Sequence, residues 1–184
     1  SIKNATFVVV PSKTIQKDLQ LYYGDIKICV HQIYHGLEHL SDGAVSEETQ
    51  RESHLQREGV LFVGNFRHYK GVDIFLAAMS ALQGEGRKIK ATIVTNESGG
   101  RIADLQEDAG LKNLTIIASP SDAELREVRA SHLIAVIPSR EEGFGLPVAE
   151  ALFAGMVPVY SDIEVFIELY GVHKLGQTFR SCES

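Results

Sequence analysis

From residue 60 onward, short apolar runs alternate with segments whose apolar residues recur at helical spacing, and this leaves few folds open. Val60 to Val63, Ile89 to Val94, Leu114 to Ala118, Leu133 to Ile137, Val157 to Tyr160 and Gln177 to Phe179 read as strands. Between them lie Val72 to Leu82, with Val72, Phe75, Leu76 and Met79 on one helical face, then Arg101 to Ala109, a helix opened by Ser121 and running through Ala130, Val148 to Phe153, and Asp162 to Leu169. Ser121 with Glu124 three residues on forms a capping-box pattern. Strands joined through helices pair in parallel, so the chain is predicted to be α/β: a Rossmann-like parallel sheet with helices on both faces. The continuously apolar run Leu133 to Ile137 predicts a strand buried on both sides.

Ahead of this region, Ala5 to Val10 reads as a strand, Thr14 to Tyr23 as a helix ended by Gly24, and Ile26 to Val30 as a second strand. Ser41 to Glu58 is polar and without apolar period, the pattern of a linker. The chain has 184 residues and a net charge of −6, which argues against a nucleic-acid surface, since phosphate backbones are met by clustered Lys and Arg. No apolar stretch approaches the ~20 residues that cross a bilayer. Cys29 and Cys182 are far apart and form no zinc or redox pair, so a reducing, cytoplasmic setting is expected. His31, His35 and His39 recur every four residues, but Gly36 and a preceding strand interrupt the helix that would align them, and no metal site is expected. Because the first residue is Ser and a strand starts almost at once, an upstream part of the protein is expected to be missing.

Parallel sheets of this kind bind ligands beyond the carboxyl ends of their strands. The loop after Val63 reads Gly64, Asn65, Phe66, Arg67, His68, Tyr69, Lys70, Gly71, placing two cations just before a helix, where an anion would also meet unpaired helix N–H groups. It is not a Walker loop, which needs Ser or Thr directly after the Lys. The loop after Ile137 holds Glu141, Glu142, Gly143, Phe144, Gly145, Leu146 and Pro147 and leads into a helix containing Glu150. The glycines let backbone approach a ligand and free the N–H groups of Phe144, Gly145 and Leu146 to donate. The acids could cap the helix, but Glu150 falls a turn inside a helix of apolar and small residues. Carboxylates accept the paired hydroxyls of ribose and sugar rings, while amides and Lys70 suit the phosphates between them, so a nucleotide sugar would satisfy every part. A dinucleotide fingerprint is absent, with Val148 at its third position, and a glycosidase pair would have to flank a scissile bond.

Pro138-Ser139, Glu142 through Pro147, Glu150-Ala151, Gly155, Pro158-Val159 and Ser161-Asp162 together closely resemble the signature of family 4 glycosyltransferases of the GT-B fold. Val63-Gly64 to Lys70-Gly71 is similar to that family's donor-phosphate loop, and Pro11-Ser12 with Tyr34-His35-Gly36 to the end of its N-terminal domain and its hinge. The resemblance implies residues 1–40 as the tail of an N-terminal domain and hinge, 41–58 as a linker and 59–184 as the C-terminal donor-binding domain, cut short at its end.

It further implies a retaining, metal-independent hexosyltransferase that needs no cofactor and moves a sugar, mannose or glucose, from a nucleoside-diphosphate sugar to a glycan or lipid-linked acceptor. Glu142 would lie at the donor sugar and Glu150 on the ribose. The amides of Phe144, Gly145 and Leu146, following Gly143, would hold sugar and diphosphate, and Lys70 with Arg67 would neutralise the leaving group. Gly64 and Asn65 would line the donor loop, although many members have Arg where this chain has Asn65. The acceptor would be met by the absent N-terminal domain, with peripheral association of the intact enzyme at the inner face of a membrane, and the isolated piece would turn over little. A GT-B epimerase or phosphorylase, or a non-catalytic partner module, are the rival readings; neither the histidine and acid constellation of the first nor a lysine-bound cofactor is visible.

Overall fold

The computed structural model describes residues 5–24, 28–37, 57–97, 102, 105 and 110–180. Its main body is a six-stranded sheet in the order β5-β4-β3-β6-β7-β8, every pairing parallel. The strands are β3 (Val60–Val63), β4 (Ala91–Thr95), β5 (Leu114–Ala118), β6 (Ile134–Ile137), β7 (Val157–Ser161) and β8 (Gln177–Phe179). The connections hold α2 (Val72–Gly84), α3 (Asp122–Ser131), α4 (Leu146–Phe153) and the short α5 (Glu164–Phe166). Between β4 and β5, Ile102 and Leu105 are helical, and the rest of the helix predicted there lies outside the described residues.

The sheet is filled from both sides, as strands joined through helices require. On one face Leu61, Val94, Ala135 and Ile137 pack with Val148, Ala149 and Ala151 of α4, with Leu125 and Val128 of α3 beside them. On the other, Val60, Phe62, Ala91 and Ile93 meet Val72, Phe75 and Met79 of α2. Phe75 and Val148 are both fully buried, and each contributes about 1.5–3 kcal/mol by leaving water. Ser121 caps α3 as predicted: its hydroxyl accepts from the Glu124 N–H while the Glu124 carboxylate accepts from the Ser121 N–H, giving a complete capping box.

Three expectations need correcting. In β6, buried Ala135 and Ile137 alternate with half-buried Ile134 and Val136, so the strand is not fully sealed on both sides, although Ile134 and Val136 still pack against the cluster built on α2. The helix predicted over Asp162 to Leu169 is one α-turn, α5, that widens into a π-turn over Ile167–Gly171 and so brings Tyr170 inward. At the end of the predicted linker, Arg57 is buried and donates to the Ala154 carbonyl at 2.7 Å, so it is part of the packed body; residues 41–56 lie outside the described residues.

The leading segment is a two-stranded parallel sheet, β1 (Phe7–Val10) with β2 (Cys29–Gln32), and α1 (Lys13–Tyr23). β2 lies later than the strand predicted over Ile26 to Val30. This segment rests on the α5 region. The Glu168 carboxylate accepts from the Lys13 and Thr14 N–H groups at 2.8 and 2.9 Å and from the Thr14 hydroxyl at 2.7 Å, closing the open start of α1. Lys17 pairs with Glu164 at 2.8 Å.

Candidate functional site

The order of the sheet reverses between β3 and β6: from β3 the chain moves outward through β4 and β5, then returns to β6 on its other side. Loops at such a switch point part from one another and leave a crevice at the carboxyl ends of the strands. The two loops singled out in the sequence are the ones that flank it.

They are stitched together. The Arg140 N–H donates to the Tyr69 carbonyl and its guanidinium to the His68 carbonyl, both at 2.8 Å. The same guanidinium grips Asp73 at 2.9 and 2.8 Å and, through that hydrogen-bonded pair, holds the Asp73 carboxyl below its usual pKa. Gly71 allows the contact: at φ +71° it is left-handed, and a Cβ there would stand 2.0 Å from the Pro138 carbonyl oxygen.

Within this frame Lys70, in the short turn His68–Lys70, reaches Glu142 with Nζ 2.5 Å from Oε1, the two side chains being only 20% and 11% exposed. Ser139, itself buried, donates to the same Glu142 oxygen at 3.0 Å. The reading of Glu142 as a helix cap therefore fails; the N-cap of α4 is Gly145, and no side chain caps the helix. Among the described residues the N–H groups of Phe144, Gly145 and Leu146 have no acceptor, so the start of the eight-residue α4, with Pro147 in its first turn, keeps three uncommitted donors.

Glu150 lies one turn further on, between buried Ala149 and Ala151, and lines a hollow of about 20 Å³ with Leu61, Val63, Ile137 and Arg129. That hollow is walled by β3 and β6, the two strands that flank the switch point. Glu142 and Glu150 are also neighbours of one group. Burial foremost, with the two carboxylates adding to it, pushes the Tyr170 phenol up to about 12. Its hydroxyl donates to the Gly145 carbonyl at 3.1 Å, which fixes the loop from behind.

The remaining predicted residues are less engaged. Arg67 is exposed, and its guanidinium has no partner among the described residues. Asn65 accepts from the Arg67 N–H at 3.3 Å, and the Gly64 N–H donates to the Val94 carbonyl at 2.9 Å. The Gly143 carbonyl accepts from the hydroxyl of fully buried Ser12 at 3.0 Å, and Phe144 meets the His35 ring edge-on at 4.8 Å, so the leading segment touches this loop. Two participants went unnoticed in the sequence. Arg140 gives no local signal of its clamp, whereas Arg129 carries a weak one: it follows Val128 and stands four residues after Leu125, on the helix face turned to the core.

Fold and crevice together define a Rossmann-like α/β domain, a parallel sheet with a switch point between β3 and β6. The family model of the glycosyl transferases group 1 matches residues 46–180, and the chain belongs to that family. It is similar to the GDP-mannose:cellobiosyl-diphosphopolyprenol alpha-mannosyltransferase of Komagataeibacter xylinus, 31% identical over 114 residues that make up 60% of this chain and 29% of that one. It is also similar to the lipopolysaccharide core biosynthesis mannosyltransferase LpcC of Rhizobium leguminosarum bv. viciae, 29% identical over 96% of this chain and 47% of that one. The chain thus spans half or less of these relatives. Anabaena HepE, solved in complex with UDP and glucose, superposes with a TM-score of 0.72 over 97% of this chain and 50% of its own, at 19% identity, a likeness of fold.

Proposed function

We propose that this chain is the donor-binding part of a retaining glycosyltransferase that moves a hexose, mannose or glucose, from a nucleoside diphosphate to a glycan or lipid-linked acceptor. One observation carries the reading: the loops that flank the switch point between β3 and β6 hold the Lys70–Glu142 pair and the uncapped start of α4, while Glu150 lines a hollow walled by the same two strands. The names of the relatives, mannosyltransferases among them, support it.

In this reading the bond between the sugar C1 and the diphosphate oxygen breaks, and the electron pair leaves with the diphosphate. An acceptor hydroxyl bonds to C1 on the same face, and its proton passes to the departing diphosphate oxygen. The protein's part is to stabilise charge where it develops. The amides at the start of α4 and Lys70 meet the leaving oxygens, and losing one such donor costs about 3–4 kcal/mol in barrier. Lys70 is pre-positioned by Glu142, whose second oxygen has no partner among the described residues and is open to the donor sugar. Glu150 takes the ribose hydroxyls. Arg67, exposed at the rim, supplements Lys70 on the diphosphate. The nucleotide sugar is a substrate, and the reading calls on no resident cofactor. No helix among the described residues is long and apolar enough to cross a membrane; a cytoplasmic enzyme working at the inner membrane face fits a lipid-linked acceptor.

Titration calorimetry of the full chain with UDP, GDP and ADP and with their glucose and mannose conjugates tests this. Saturable binding of one nucleotide family, weakened about tenfold or more in Lys70→Ala and in Glu150→Ala, is expected. No saturable binding of any of them overturns it.

A further inference from the structure

We infer that Arg129 is the positioning residue for Glu150, holding its carboxylate turned so that one oxygen serves the ribose hydroxyls. The inference rests on the reading of Glu150 given above and adds a residue to it.

Glu150 is badly placed for an isolated carboxylate. Its neighbours around the hollow are Leu61, Val63, Ile137, Ala151 and Met156, and an unpaired carboxylate among such groups swings to water. Arg129 prevents that. From near the end of α3 its Nη2 donates to Glu150 Oε2 at 2.5 Å, with the side chains 17% and 28% exposed, well inside the range where an ion pair escapes full solvent screening. A guanidinium suits the task, because its planar, permanently charged fork fixes direction as well as charge.

The pair is one-sided. Oε2 is taken, whereas Oε1 has no partner among the described residues although the residue lines the crevice. A vicinal diol can donate to a carboxylate oxygen left free in this way, while Arg129 keeps the other oxygen anchored. Arg129 comes from a different helix, α3, so the contact spans two crossovers and orients Glu150 from outside its own helix. An ion pair serving the fold alone would be indifferent to the sugar of the nucleotide. One that positions Glu150 is read out through the ribose hydroxyls.

The experiment measures Kd by calorimetry on the full chain for UDP and GDP and for their 2′,3′-dideoxy counterparts, in the parent, Glu150→Ala, Arg129→Gln and Arg129→Lys, with thermal unfolding of each. In the parent, the nucleotide that binds is expected to be preferred over its dideoxy form by about tenfold. Arg129→Gln should erase most of that preference, as Glu150→Ala does, while binding the dideoxy form like the parent; Arg129→Lys should restore part of it. Loss of preference in Glu150→Ala with full retention in folded Arg129→Gln overturns the positioning role and leaves the role of Glu150 intact. Equal weakening toward both forms in Arg129→Gln also overturns it, assigning the pair to the fold. No preference in the parent, or no binding, overturns the reading of Glu150 and this inference with it.

Discussion

Gly145 carries two constraints at once. It is left-handed at φ +79°, and a Cβ added to it would stand 2.4 Å from Cε1 of Phe166, a side chain with no exposed surface of its own to yield. Gly145→Ala should therefore cost about 2–4 kcal/mol, the sum of a left-handed alanine and a clash in a packed interior, read as a lowered urea midpoint. Because the same residue contributes one of the free amides at the start of α4, nucleotide affinity should fall as well. Tyr170 behind it stays protonated through the neutral range, since burial raises its phenol to about 12, and it goes on donating to the Gly145 carbonyl. Removing only that hydroxyl, in Tyr170→Phe, leaves the Gly145 carbonyl with the Val148 N–H at 3.0 Å as its donor and should cost about 0.5–1.5 kcal/mol in the same measurement.

Between elements, the contact most open to test is the one that seats α1 on the π-turn. Burial opposes ionisation of Glu168, yet hydrogen bonds from Lys13, Thr14 and Tyr34 outweigh it and hold its pKa below the usual value. A carboxylate whose folded pKa is depressed stabilises the fold fully above its unfolded pKa of about 4.3 and loses that contribution as pH falls through the lower, folded value. Unfolding followed by denaturant at pH 7 and at successively lower pH should show parent and Glu168→Gln converging in acid; a constant gap would assign the contact a role independent of charge. The elements themselves were legible in the sequence to within a few residues, because alternating apolar runs and helical spacing reflect burial directly. Asp162 to Leu169 misled because its apolar spacing fits an α-helix, while the wider turn is selected by where Tyr170 must pack. Glu142 and Glu150 were visible as acids in a glycine-rich, apolar setting. Their partners Lys70 and Arg129 stand 72 and 21 residues away, and no local pattern announces a pairing made by the sheet.

Over the whole molecule, strand order does the assembling. By returning past β3 to lay down β6, the chain brings a lysine from its first βα loop against a glutamate from its fourth. A ligand that bridges these loops binds only the folded chain and must stabilise all of it. With a nucleoside diphosphate at about one hundred times its Kd, the unfolding free energy should rise by about 2.7 kcal/mol. At that same ligand concentration the accompanying rise in Tm should shrink sharply in Lys70→Ala, whose affinity is reduced; an undiminished rise would move the ligand elsewhere on the surface.

The approach of Gly71 to Pro138 closes one route of change to this protein. Sequence drift can exchange a loop's side chains one at a time, but where two main chains lie closer than a methyl group there is no smaller step to take. Any descendant that loses this glycine must first separate its lysine-bearing turn from the strand end that leads to its glutamate, and so would have to rebuild the mouth of the crevice.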